Sequence, residues 1–360
     1  MDMPAGLRQR KGRGAASNAS GRFEAEQRVA FDDGWGTADE EPAPLATTLS
    51  VDSTRTIIAR NDSPDIGFDR SINPYRGCEH GCIYCYARPS HAYLGLSPGL
   101  DFESRLFYKP DAAALLAEEL RKKGYSCRPI ALGSNTDPYQ PVERRLAITR
   151  SILEVLRDFR HPVTIVTKSA LIQRDTDILG DMAKDKLACV TISVTTLDRT
   201  LARRMEPRAS TPERRLETIT ALTAAGIPTG VLSAPMIPAL NDSELEQILE
   251  RARAAGAVSA GYTLLRLPFE LKSLFREWLE EHFPNKATHI LSLVAQTHGG
   301  RLYDSTWSKR MTGTGPYADI LRLRFDRACR KLDFEPRSTR PLETTLFRAP
   351  SQKGDQLALF

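Results

Sequence analysis

Three cysteines fall within eight residues, Cys78-Glu79-His80-Gly81-Cys82-Ile83-Tyr84-Cys85. Thiols set in a C-x3-C-x2-C run repel one another as thiolates unless a metal neutralises them. The other three, Cys127, Cys189 and Cys329, stand alone in sequence. Near the start lie Arg8, Arg10, Lys11 and Arg13 with no apolar run behind them, so no secretory signal is expected. Clustered thiols in such a chain favour a metal over disulfides. A structural zinc takes four ligands, usually as two spaced pairs, and only His80 lies within the run as a fourth. A cubane iron–sulfur cluster is held by thiolates, and three of them leave one iron free for another ligand. Spacing alone leaves zinc open as the alternative.

The elements that must present this loop are legible from periodicity. The chain has 360 residues and a net charge of +5. No window approaches the roughly twenty apolar residues of a membrane span, so no membrane partner is expected, and a reduced cytoplasm would suit an oxygen-sensitive cluster. Residues 1–50 hold few large aliphatics and are expected to be disordered. A core domain is expected over 51–267, and from about residue 70 to 267 β-rich apolar runs alternate with amphipathic helical ones, the pattern of βα units on a parallel sheet. Strands are predicted at 71–75, 129–133, 163–167, 187–194, 229–234 and 259–265. Helices are predicted at 111–123, 142–159, 175–184, 212–225 and 243–255. The helix at 212 has Thr211 as its cap and proline in its first position. Six repeats are too few to close an eight-stranded barrel, and period alone does not separate a partial barrel from an open doubly wound sheet. Residues 268–335 read as a helical extension and 336–360 as a flexible tail.

Cys78, Cys82, Tyr84 and Cys85 resemble the cluster loop of the radical SAM superfamily, with its aromatic before the last cysteine. Over about residues 55–335 the chain further resembles the spore photoproduct lyase-like branch, through Asn135-Thr136-Asp137-Pro138 and Glu206-Pro207-Arg208. The resemblance implies an α/β fold, a partial (β/α)6 TIM-like barrel with its site at the strand C-terminal face. It also implies a 4Fe-4S cluster on Cys78, Cys82 and Cys85 whose open iron binds the amino and carboxylate groups of S-adenosylmethionine (SAM). An external one-electron reductant would drive SAM cleavage to a 5′-deoxyadenosyl radical that abstracts a substrate hydrogen. By position, Ser134, Asn135 and Asp137 would hold the amino group, beside Tyr84. Ser193 and Thr195 would meet the ribose or simply be polar strand ends. Arg208 would clamp the carboxylate or pair with Glu206. The apolar Pro235-Met236-Ile237-Pro238 turn would pack the adenine. One departure matters: the lyase places a hydrogen-donating cysteine where this chain has Ser134, so dimer reversal of that type does not carry over.

Two further stretches point to nucleic acid. Residues 301–348 carry eleven Lys/Arg against six Asp/Glu, with Tyr303, Trp307 and Tyr317 interleaved among Arg301, Lys309 and Arg310. Aromatics among cations suit bases and phosphates, although a solvated helical face would have the same composition. Gln356-Leu357-Ala358-Leu359-Phe360 resembles the Gln-Leu-x-Leu-Phe peptide that docks bacterial polymerases and repair proteins on the sliding clamp. Gln356, Leu357, Leu359 and Phe360 would fill an apolar groove, with Ala358 replacing the more usual Ser or Asp. DNA is therefore the expected substrate class; RNA, a peptide or a small molecule is the alternative, as is a non-catalytic metal-binding accessory protein.

Overall fold

The computed structural model describes residues 12–24, 26, 44–336 and 341–351. Ten strands occur among these residues: β1 (Thr48–Val51), β2 (Ile58–Arg60), β3 (Arg70–Ile72), β4 (Tyr75–Arg76), β5 (Arg105–Tyr108), β6 (Ile130–Leu132), β7 (Val163–Thr167), β8 (Ala188–Ser193), β9 (Thr229–Met236) and β10 (Ser259–Leu264). The large sheet runs β10-β9-β8-β7-β6-β3-β2. From β3 to β10 its six strands are parallel, and β2 closes the β3 edge antiparallel. Every crossover steps the same way, so right-handed connections leave the helices on one side of the sheet. A doubly wound sheet reverses at a switch point instead. The order is that of the expected (β/α)6 partial barrel.

Helices connect the strands, and most of them bury apolar stripes on this sheet. They are α1 (Leu100–Ser104), α2 (Ala112–Arg121), α3 (Glu143–Leu146), α4 (Ile148–Asp158), α5 (Thr176–Lys184), α6 (Arg199–Met205), α7 (Pro212–Ala224) and α8 (Leu245–Ala254). Leu116, Leu120, Ile152, Leu153, Leu156, Leu179, Ile219 and Ile248 meet Ile130, Val163, Ile165, Val190 and Val231 in one core. Beyond the sheet come α9 (Leu271–His282), α10 (Ala287–Gln296) and α11 (Pro316–Lys331). Leu274, Phe275 and Trp278 of α9 pack in a second core with Ile83, Tyr84, Leu201 and Met205. The extension therefore supports the cysteine loop directly, and Trp278 Nε1 donates to the Arg204 carbonyl at 3.1 Å. No helix is long and apolar enough to cross a membrane among the described residues.

Four expectations change. The first strand ends at Ile72 instead of 75. Pro74 follows and has no N–H for the ladder, so the chain leaves the barrel and β4 joins a small sheet with β5 and β1. The helix expected at 142–159 breaks at Ala147, which takes φ 52° between α3 and α4. The Glu143 carboxylate holds the break by accepting the Thr149 N–H at 3.1 Å. Third, disorder was expected throughout 1–50, yet residues 12–24 pack on the body, with Arg13 and Ala15 buried; the rest of 1–43 apart from Glu26 lies outside the described residues. Their backbone and polar side chains, and not aliphatic mass, make those contacts. Last, the tail expected to be flexible from 336 docks between 341 and 351. Phe347 stacks among Tyr125, Phe159 and His161 at centroid distances of 5.3, 6.4 and 5.5 Å, at the ends where β6 and β7 begin. Gln356, Leu357, Leu359 and Phe360 lie outside the described residues.

Candidate active site

The loop carrying Cys78, Cys82 and Cys85 follows β4 and sits over the C-terminal ends of the parallel strands. Gly81 turns it at φ 67°, a left-handed value open to glycine. Its carbonyls are tied down from outside. The buried Arg88 donates from Nε to Cys82 O at 2.8 Å and from Nη2 to Gly81 O at 2.9 Å. Gln140 holds the other side, accepting the Glu79 N–H at 2.9 Å and donating to Gly77 O at 3.2 Å. The three thiols are free; Cys78 and Cys82 are buried and Cys85 is half-buried.

Burial, the Asp137 charge and the neighbouring thiols push the Cys78 thiol well above its usual range. Burial and Glu206 do the same to Cys82. Three thiolates here therefore require a multiply charged cation beside them. Among the described residues no three His, Cys, Asp or Glu side chains converge as a single-ion cage. The fit to a cluster rests on donor chemistry: three free thiols on one fixed loop, with a polar floor beneath.

That floor is built from strand ends. After β6, Asn73 Oδ1 accepts the N–H groups of Asn135 and Thr136 at 3.0 and 3.3 Å and lies 3.4 Å from Ser134 Oγ. Asp137 bridges loops: its carboxylate accepts from Thr167 Oγ1 at 2.7 Å and from the Lys168 N–H at 2.9 Å. His80 Nδ1 of the cysteine loop lies 3.3 Å from it. Burial opposes the charge, but His80, the Lys168 amide and Thr167 outweigh it and hold the Asp137 carboxyl down at about 2. After β7, Lys168 extends its ammonium to 3.1 Å from Ser193 Oγ and 5.7 Å from the Tyr84 ring centre.

Ser193 ends β8 and Thr195 lies just beyond it, both within a buried network. Thr195 Oγ1 donates to Glu206 at 2.7 Å and lies 3.2 Å from the Tyr84 hydroxyl. Tyr84 and Arg215 also donate to Glu206, and Arg215 donates to the Ser193 carbonyl at 3.1 Å. Arg208 pairs with Glu79 at 3.2 Å, not with Glu206, and its backbone N–H reaches His80 O at 3.3 Å. Met236 and Ile237 are buried. Tyr86, directly after Cys85, is 45% exposed with Arg266 4.1 Å over its ring.

Cys78, Cys82, Cys85, Tyr84, Asp137, Ser193 and Thr195 are thus brought together; Ser134 and Asn135 flank them, and Arg208 stands at the rim. Asn73, His80, Lys168, Glu206 and Arg215 carry parts that the sequence alone did not give them. Lys168 could have been found as the charged residue directly after a predicted strand. Glu206 stood out only as part of the Glu206-Pro207-Arg208 motif, with Arg208 and not Tyr84 or Arg215 as its expected partner, and Arg215 has no such signal. Of the basic 301–310 stretch, Arg310 is held by Asp65 at 2.6 and 2.7 Å.

The Radical SAM superfamily profile matches residues 72–252. An uncharacterized protein of Mycobacterium tuberculosis is 39% identical over 228 residues, covering 63% of this chain and 67% of its own length. An uncharacterized protein of Methanocaldococcus jannaschii is 27% identical over 224 residues, covering 62% and 80%. Among solved structures, spore photoproduct lyase complexed with dinucleoside spore photoproduct aligns with a TM-score of 0.55, at 16% identity, over 79% of this chain and 78% of that one. A doubly substituted mutant of that lyase, with bound AdoMet and the same dinucleoside, aligns with the same TM-score of 0.55 and coverage, at 15% identity.

Proposed function

This chain belongs to the radical SAM superfamily, and from that premise we propose that it sets radical chemistry on nucleic acid, DNA before RNA. It is an enzyme whose cofactors are a 4Fe-4S cluster and SAM. When bound, and given an electron by an external donor, they supply methionine and a 5′-deoxyadenosyl radical able to abstract a substrate hydrogen. Cys78, Cys82 and Cys85 would hold the cluster, supported by three free thiols on one loop over the parallel strand ends; this observation carries the reading.

The remaining side chains bind and orient. Lys168 makes no ion pair among the described residues and faces Ser193 and Tyr84, so it suits the SAM carboxylate better than Arg208, which Glu79 engages. Ser134 and Asn135 line the amino-group side, while Asp137 holds His80 and the two loops in register. Ser193 and Thr195 offer hydroxyls to the ribose, and Tyr84 is fixed by Glu206. Ser134 cannot donate a hydrogen atom as a thiol does, so the quenching step differs from that expected of the lyase.

DNA leads because the lyase aligned above was solved with a dinucleoside photoproduct and because the 301–348 stretch is basic. The Gln356–Phe360 peptide would dock the enzyme on a bacterial sliding clamp, in a cytoplasm reducing enough to keep the cluster. Three apolar anchors, each worth about 1.5–3 kcal/mol less the cost of ordering the peptide, support a micromolar-scale complex. The test is anaerobic reconstitution followed by dithionite and SAM, with DNA, RNA and peptide supplied separately. We expect 5′-deoxyadenosine in every case and a modified product with DNA. Iron uptake without 5′-deoxyadenosine would remove the activity; product with RNA or peptide alone would remove DNA.

A further inference from the structure

We propose that residues 13–18 form a strap that closes the outer side of the cysteine loop against solvent, with Glu103 as the positioning residue that fastens it. This rests on the cluster assignment above. Glu103 lies on α1 with its side chain fully buried. Its carboxylate accepts the N–H groups of Gly14 and Ala15, each at 2.8 Å. The same carboxylate pairs with Arg88, whose guanidinium holds the carbonyls of Gly81 and Cys82. One buried charge thus joins the strap to the backbone between the first and second cysteines.

The fit is close on both sides. A Cβ on Gly14 would overlap the Gly81 carbonyl oxygen, and a Cβ on Gly81 would press on the Glu103 carboxylate. Ala15 packs in the same apolar cluster as Cys82 and Ile83. Arg13 donates to the carbonyls of Glu103 and Leu45, both at 2.6 Å, and to Thr47 Oγ1 at 3.0 Å. The outer end is latched where Asn18 and Asp101 exchange hydrogen bonds at 2.9 and 3.0 Å.

None of these strap residues carries chemistry the reaction needs. What they do is exclude water and dissolved oxygen from the side of the loop that the barrel leaves open. Access on that side requires the strap to lift, a local opening held by a handful of hydrogen bonds.

Gly14→Val and Asn18→Ala in the full chain test this. After anaerobic reconstitution both should hold as much iron as the parent. In air, the visible cluster absorbance of Gly14→Val should decay about tenfold faster, the factor that losing one or two hydrogen bonds gives a local opening. Asn18→Ala, loosening only the outer latch, should show a smaller acceleration. In iron-free protein, the Gly81 and Ile83 amides of Gly14→Val should exchange hydrogen faster than in the parent. Should Gly14→Val fail to fold, Asn18→Ala decides. Parental decay and exchange rates overturn the strap while leaving the cluster assignment intact; a parent that takes up no iron overturns both.

Discussion

Glu206 stands between two polypeptide segments that sequence distance keeps far apart. It accepts from Tyr84 of the cysteine loop and from Arg215 of α7, and both side chains of the Glu206–Arg215 pair are buried. Breaking a buried pair leaves an uncompensated charge, which costs about 3–5 kcal/mol. Glu206→Gln should lower the stability of the iron-free protein by that order in urea unfolding; an unchanged midpoint would show that the pair is solvated. Lys168 makes a different prediction. Lys168→Met should weaken SAM binding about tenfold or more, the loss of one charged hydrogen bond. Arg208→Ala should weaken it less, because Glu79 already occupies the guanidinium; equilibrium dialysis of reconstituted protein compares the two. The thiols were legible because three ligands on one loop need no knowledge of the fold. Glu206 was legible only as a motif residue and its role was not, since its partners lie 122 and 9 residues away and follow no period.

Secondary-structure elements were legible where a stripe of apolar residues repeats, and the six parallel strands follow that pattern closely. They were not legible where a side chain overrides the local preference. Ala147 occupies the left-handed region without any glycine or proline to announce it, because Glu143 captures the Thr149 amide. An L-residue there carries roughly 1–2 kcal/mol of strain, partly offset in a glycine by its looser unfolded chain. Ala147→Gly should therefore raise stability by up to about 1 kcal/mol in thermal unfolding. A loss of stability would mean that the methyl group contributes packing that outweighs the strain. The strap and the docked 341–351 segment escaped for the related reason that backbone amides and single aromatic rings, not periodic patterns, hold them.

For the molecule as a whole, two buried histidines set a pH limit. Burial pushes His91 down to about 4, against the Arg105 carbonyl that accepts from it, and pushes His161 down to about 4 beside Tyr125. Both folded values lie below the ordinary value of about 6.5, so the unfolded chain binds these protons first. Stability is complete above about pH 6.5 and is lost as pH falls toward 4, by about 3 kcal/mol per histidine. Urea midpoints of iron-free protein at about pH 7, 5.5 and 4.5 should fall in that order, and His161→Gln should flatten part of the slope. A level profile would place both imidazoles in contact with water. Phe347, wedged beside His161, has a consequence of another kind. Together with Glu343, whose N–H meets the Lys186 carbonyl at 3.0 Å, it pins the chain where the strands begin, at the pole opposite the cysteines. Anything attached to the chain just beyond residue 351 therefore starts from the pole away from the cysteine loop, so its point of attachment leaves the strand C-terminal face clear.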